Sequence, residues 1–358
     1  MRSIIEPNPS PETAVKLHSA SKSVMFGIAL TCIMVGLTTG VLELAYRFQL
    51  LDTYRSELCA YNPHDVINGA WQGQTLLAIG DSFTAGTASY PDVLRSLLPG
   101  WRIVNCGIPG TGVVQADIVA PNRLRKFKPT VCVYQIFVGN DLFDIRYPAG
   151  GSHVAVARRV YWYLASYLRS LSFLNYRLGQ WKSGTPAKYT PFVCGPAKPE
   201  IFSIDRYDER ERIYLSAEPL LLENQVLVTP ARARDYDREI EGLLKLRELC
   251  RKSNTMLVLL VIPHAAQVAP VYMDRMMQIG ATFTDPERMA AKDYPFLAGI
   301  RRAFSNDPGV VIVDPLPALK AAEGQGISVY FTNDGHLNRA GQQRVAQVLV
   351  DAITAKTN

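Results

Sequence analysis

The chain alternates between short apolar runs and longer segments of helical periodicity. Thr75–Ile79 (TLLAI), Arg102–Cys106 (RIVNC), Thr130–Val138 (TVCVYQIFV), Thr255–Ile262 (TMLVLLVI) and Val310–Val313 (VVIV) are short runs bounded by turn residues. Between them Tyr90–Leu98 reads as a helix stopped by Pro99-Gly100, and Val113–Phe127 reads as a second. Arg339–Thr354 closes the chain as an amphipathic helix. Nearly continuous apolar strands separated by helices predict an α/β fold, with a parallel sheet covered on both faces. Right-handed crossovers then place every strand C-terminus at one edge, where open sheets of this kind bind their ligands. Residues that carry chemistry are therefore expected directly after strands.

Two regions depart from this alternation. Between Lys22 and Glu43 lie twenty residues without a charge, SVMFGIALTCIMVGLTTGVL. As a helix they rise about 30 Å, the thickness of a bilayer's hydrocarbon core. Core helices rarely run this long uncharged, and a cleavable signal needs a small-x-small site that GVLELA at 40–45 provides poorly. Residues 23–44 are thus expected to form an uncleaved transmembrane anchor, after a cytoplasmic tail (1–22) and before a linker (45–72). Arg2, Lys16 and Lys22 precede the anchor and favour a cytoplasmic N-terminus. That orientation makes a single-pass protein of the bacterial inner membrane, with residues 73–358 on the periplasmic side.

The second departure is an insertion at about 142–229. Its segment Val154–Trp181 interleaves Tyr161, Trp162, Tyr163, Tyr167, Phe173, Tyr176 and Trp181 with Arg158, Arg159, Arg169 and Arg177. The expectation is an amphipathic helix packed over the core; a helix facing a membrane surface or a glycan is the alternative. Thr185–Leu222, rich in proline and charge, reads as an irregular excursion.

Composition narrows the class. With 48% apolar and 20% charged residues, the chain has enough apolar surface to offset the entropy of folding, which excludes general disorder. The net charge of +6 is spread along the chain with no basic stripe, so no nucleic-acid partner is expected. Of six cysteines, Cys32 lies in the anchor, while Cys106 and Cys132 fall on strands as small core residues. Cys59 and Cys194 could pair in an oxidising compartment. There is no CxxC and no metal-type spacing, and neither metal nor cofactor is expected.

Four blocks sit where chemistry should be. Gly80-Asp81-Ser82-Phe83-Thr84 follows the first strand, Asn105-Cys106-Gly107-Ile108-Pro109-Gly110 the second, and Gly139-Asn140-Asp141 the third. Asn333-Asp334-Gly335-His336-Leu337-Asn338 precedes the last helix. Singly each could be a cap or tight turn. Together and in this order, they resemble the SGNH (GDSL-like) hydrolase superfamily, from about Thr75 to the C-terminus apart from the insertion. The resemblance implies a flavodoxin-like three-layer α/β/α sandwich, the SGNH hydrolase fold. It makes Ser82 the nucleophile and His336 its base, with Ser82, Gly110 and Asn140 forming the oxyanion hole.

The chemistry needs these types. A serine hydroxyl at neutral pH is a weak nucleophile without an adjacent base, and that base needs a carboxylate to fix its tautomer. The tetrahedral oxyanion needs donors already in place, here two backbone N–H groups and the Asn140 amide. Two positions depart from the family pattern. Phe83 replaces a leucine and keeps the position apolar. More consequentially, Asn333 stands where the common Asp-x-x-His pattern has its aspartate, so the orienting carboxylate is assigned to Asp334. This Asp-x-His arrangement resembles the SGNH-like domains of alginate O-acetylation proteins, which also sit at the bacterial envelope.

The expected function is a membrane-anchored serine esterase or O-acyltransferase, acting on an acylated envelope polysaccharide through an acyl-serine. A transferase of this kind would draw its acyl donor from a multi-span acyltransferase partner. The rival readings are a non-catalytic glycan-binding or assembly module and a lipid-directed esterase at the membrane surface. Among the other histidines, His18, His64 and His153 read as surface residues. His264, just past a strand, is the candidate for substrate contact, with an ordinary loop role as the simpler reading. Asp141 reads as a loop cap.

Overall fold

Five strands form the core of the computed structural model, which describes residues 11–62, 71–145, 156–182 and 200–357. They are β1 (Thr75–Gly80), β2 (Arg102–Gly107), β3 (Val131–Phe137), β4 (Met256–Ile262) and β5 (Val310–Val313). All pair in parallel, in the order β2-β1-β3-β4-β5. This is the order of a flavodoxin-like doubly wound sheet, in which the chain reverses direction between β1 and β3. Every residue of β1 and β3 is buried, which accounts for their unbroken apolar runs.

The reversal determines which helices share a face. With right-handed crossovers, the helix Tyr90–Leu97 between β1 and β2 lies on one side and packs against the last helix, Arg339–Thr357. The helices Val113–Phe127 and Ala233–Lys252 cover the other side, joined by Pro295–Ala303. Helices on both faces of the parallel sheet make the three-layer α/β/α sandwich. The register sets Gly80 opposite Gly107 and Ile79 opposite Tyr134, so the loops leaving β1, β2 and β3 emerge side by side.

One long helix, Pro11–Arg47, precedes the sandwich. Its stretch Ser23–Arg47 has a mean hydropathy of 2.0 and is exposed almost throughout, as a membrane span would be. No other helix among the described residues is long and apolar enough to cross a membrane. Its last turn is attached to the domain. Tyr46 and Tyr54 share a 2.7 Å hydroxyl contact in a small cluster with Ile108, Ile118 and Val119. Glu43 accepts from the backbone N–H groups of Arg169 (2.9 Å) and Ser170 (2.8 Å), capping the helix Arg169–Lys182.

The aromatic segment differs from expectation. It forms two helices, Val156–Tyr167 and Arg169–Lys182, separated at Leu168. The second packs on the end of the N-terminal helix, not over the main core, with Phe173 stacked on Tyr46 at 5.3 Å. Tyr163, Leu164, Tyr167, Leu174 and Leu178 stay exposed. Arg177 of the second helix pairs with Glu57 and stacks over Phe173 beside the N-terminal helix. Residues 183–199, with Cys194, lie outside the described residues, as do His64, His153 and the side chains of His18 and Cys59.

Candidate active site

The turn that carries Ser82 is built by β1 and its neighbours. The Asp81 carbonyl accepts from Thr84 N–H (3.2 Å) and Ala85 N–H (3.0 Å), curling the chain immediately after the strand. Gln135, from the middle of β3, accepts from Asp81 N–H and from the Thr84 hydroxyl, both at 3.0 Å. Asn105 in β2 donates to the Thr84 carbonyl at 2.7 Å. A Cβ on Gly107 would lie 2.5 Å from Ala85 N, so only glycine allows these loops to approach so closely.

That packing leaves Ser82 half-buried and aimed at the loop before the last helix. Its Oγ lies 2.7 Å from His336 Nε2. His336 Nδ1 lies 2.5 Å from Asp334 Oδ1, which also accepts from His336 N–H at 2.9 Å. The short Nδ1 contact to a carboxylate fixes the tautomer: Nδ1–H donates to Asp334, and Nε2 accepts from the Ser82 hydroxyl. The loop is held by Asn338, which donates to the carbonyls of Ser328 (2.8 Å) and Tyr330 (3.1 Å) and caps the final helix.

Charge around the imidazole favours the protonated form. Burial pulls the His336 pKa down, but the charge of Asp334, their hydrogen bond, and the charges of Asp81 and Glu211 push it above the ordinary 6.5. Burial alone would raise Asp334, and the His336 charge and hydrogen bonds hold it below the usual carboxylate range. Asp81 is pushed up to about 6 by burial, partly offset by Phe83 N–H and His336. Its Oδ2 has no hydrogen-bond partner among the described residues.

The expected oxyanion donors come from the neighbouring loops. Gly110 has φ +70°, a left-handed conformation that suits glycine, in a loop held by Ile108 N–H to the Gly80 carbonyl at 2.9 Å. Asn140 follows β3. The N–H groups of Ser82 and Gly110 and the Asn140 side-chain amide have no hydrogen-bond partner among the described residues. Asp141 caps its loop, accepting from Phe137 N–H at 3.0 Å.

Asn333 has a different role from the carboxylate it replaces. Its Oδ1 accepts from Ser203 N–H (2.8 Å) and its Nδ2 donates to the Ile201 carbonyl (3.1 Å), tying the insertion to the histidine loop. His264 stands at the active edge, but it is only 1% exposed. Its Nδ1 accepts from Ala266 N–H at 3.1 Å and its Nε2 faces Glu211 at 3.2 Å, which leaves no ring nitrogen for a ligand.

Four contributors were not singled out from sequence. Gln135 is the polar residue of an otherwise apolar strand, a signal that could have found it. Asn62 joins the first two loops, donating to the Gly107 carbonyl (3.0 Å) and accepting from Gly86 N–H (3.1 Å). Glu211 and Gln225 come from the insertion. Gln225 donates to the Gly139 carbonyl and accepts from Phe143 N–H, bracing the Asn140 loop from both sides. Nothing local in their sequence marks either.

No family model matches the chain, and no curated protein sequence matches it. Solved structures do. An α/β hydrolase from the metagenome of Lake Arreo, Spain, aligns at 15% identity over 81% of this chain and 100% of its own, with a TM-score of 0.40. A catalytic mutant of an acetylxylan esterase from Geobacillus stearothermophilus aligns at 14% identity over 79% and 96%, with a TM-score of 0.38. A psychrotrophic esterase from Pseudoalteromonas aligns at 10% identity over 79% and 97%, with a TM-score of 0.36.

Proposed function

We propose that the protein is a serine esterase of SGNH type. The observation that carries this reading is the continuous relay Ser82 Oγ–His336 Nε2–Nδ1–Asp334, with contacts of 2.7 and 2.5 Å. In the forward step Ser82 Oγ attacks the ester carbonyl while His336 takes its proton, and Asp334 stabilises the imidazolium. The oxyanion is received by the Ser82 and Gly110 N–H groups and the Asn140 amide. His336 then returns the proton to the leaving alcohol, leaving an acyl group on Ser82. Water or a second hydroxyl resolves that ester by the same path in reverse, so hydrolysis and acyl transfer share one intermediate.

The finer reading is a membrane-tethered enzyme acting on short acyl groups of an envelope polysaccharide. It is supported by the N-terminal apolar helix and by the Asp334-Gly335-His336 arrangement. A periplasmic domain and an acyl-donating multi-span partner belong to the same proposal. The test is turnover of p-nitrophenyl acetate and of longer-chain esters by the full chain in detergent, beside Ser82→Ala. Acetate turnover that vanishes in Ser82→Ala supports the esterase. Selective turnover of long-chain esters would transfer support to a lipid substrate, and no turnover of any ester by a folded chain would count against catalysis.

A further inference from the structure

A cavity whose lining includes none of Ser82, Asp334 and His336 lies where the N-terminal helix meets the domain. A cavity of about 530 Å³ opens between the end of that helix and the helices Val113–Phe127 and Ala233–Lys252. Its volume is in the range of small-molecule sites, about 300–1,000 Å³. Four cations line it, Arg47, Arg169, Arg238 and Lys245, against two carboxyl groups, Asp117 and Glu241.

Arg47 is held by Glu43 and the Tyr167 carbonyl. The Arg169 and Arg238 guanidiniums have no hydrogen bond or ion pair among the described residues. Burial, and then the like charges of Arg47 and Arg238, hold the Arg169 pKa below its ordinary value against the smaller opposing pull of Glu43 and Tyr46. Grouped guanidiniums that repel one another in a partly dry wall gain from an anion placed among them. Asp117 does not fill that role well. Burial pushes its carboxyl up to about 7 against the pull of Lys245 and Arg169, and its buried Oδ1 lacks a partner among the described residues.

Position identifies the source of the anion. Arg47 is the last residue of the apolar stretch, so the cavity opens at the depth where a bilayer's headgroups begin. Phe48 and Tyr167 in its lining are exposed, as are Leu50, Leu51 and Tyr163 close to them in the chain, apolar and aromatic side chains of the kind that sit at a membrane–water interface. We propose that this cavity binds the phosphate headgroup of an anionic bilayer lipid, seating the catalytic domain on the membrane surface. The proposal rests on the membrane-anchored reading of the N-terminal helix.

The experiment places the full chain in nanodiscs of phosphatidylcholine with a minor share of phosphatidylglycerol and counts retained lipid by native mass spectrometry. Arg169→Gln and Arg238→Gln are measured beside Arg344→Gln, on the last helix away from the cavity. Near-ultraviolet circular dichroism checks that each is folded. The expected result is preferential retention of phosphatidylglycerol, falling about fivefold with each cavity arginine removed and unchanged in Arg344→Gln. Equal retention of both lipids, or a preference that survives both cavity substitutions, would overturn the proposal. So would displacement of the lipid by millimolar inorganic phosphate, which would make a free anion the ligand. Carbonate extraction of native membranes separates the premises: release of the chain would refute anchoring itself, whereas retention without lipid preference would refute only the cavity.

Discussion

Two histidine–carboxylate pairs stand at the same edge of the sheet, and they differ in what remains open. His336 gives Nδ1 to Asp334 and keeps Nε2 for a serine hydroxyl, with 28% of its side chain exposed. His264 uses Nδ1 to cap a short helix and Nε2 to meet Glu211, at 1% exposure. Phe83 and Phe137 stack between the two rings, in contact with one another at 4.3 Å. The lesson is that a histidine–acid contact alone does not make a base. His336 keeps a nitrogen facing the Ser82 hydroxyl, whereas His264 keeps none and packs its ring against Phe137.

The comparison breaks most sharply at the serine. Ser82→Ala and His336→Ala are each expected to lower esterase turnover by about a thousandfold or more, read from steady-state rates. Comparable turnover in either would dissolve the distinction between the pairs. Next comes Asp334→Asn, for which a loss of roughly a hundred- to ten-thousandfold is expected. The pH profile adds a sign. His336 must be neutral to act, so the rate rises with pH through a midpoint above 6.5, where the folded protein holds its pKa. Removing the Asp334 charge lowers that pKa, and the acid limb of the profile should move to lower pH. A limb that stays in place would show that Asp334 is not the partner.

Asn140→Ala should cost about a hundredfold in kcat with little change in KM, the signature of a lost oxyanion donor. The smallest catalytic effect belongs to the second pair. His264→Gln is expected to destabilise the fold by about 1–3 kcal/mol, seen in thermal unfolding, while kcat stays within about tenfold. A large kcat loss at unchanged stability would sharpen the comparison in the opposite direction and make His264 a participant.

Legibility in the sequence follows the same divide. Strand positions could be read because β1, β3 and β4 are buried on both faces and admit few polar residues. The meeting of Ser82, His336 and Asp334 could be read because each lies in a short motif directly after a strand or before the last helix. What was not legible depends on contacts across long stretches of chain. Glu211 faces His264 from 53 positions away, and Gln225 reaches the Gly139 carbonyl from 86. No local pattern encodes such meetings. Asn333 looked like a weakened catalytic position, and its tie to Ser203 and Ile201 became visible only once the insertion was placed beside it. The aromatic helices misled for a related reason, since Phe173 of the second packs on the end of the N-terminal helix and not on the sheet.

The account depends most on Ser82 being an activated nucleophile. Intact-mass analysis of the full chain in detergent after exposure to a fluorophosphonate tests this directly, beside Ser82→Ala and His336→Ala. The prediction is one adduct on the parent protein, none on Ser82→Ala and much slower labelling of His336→Ala. A folded parent that takes no adduct, or an adduct that persists in Ser82→Ala, would contradict it.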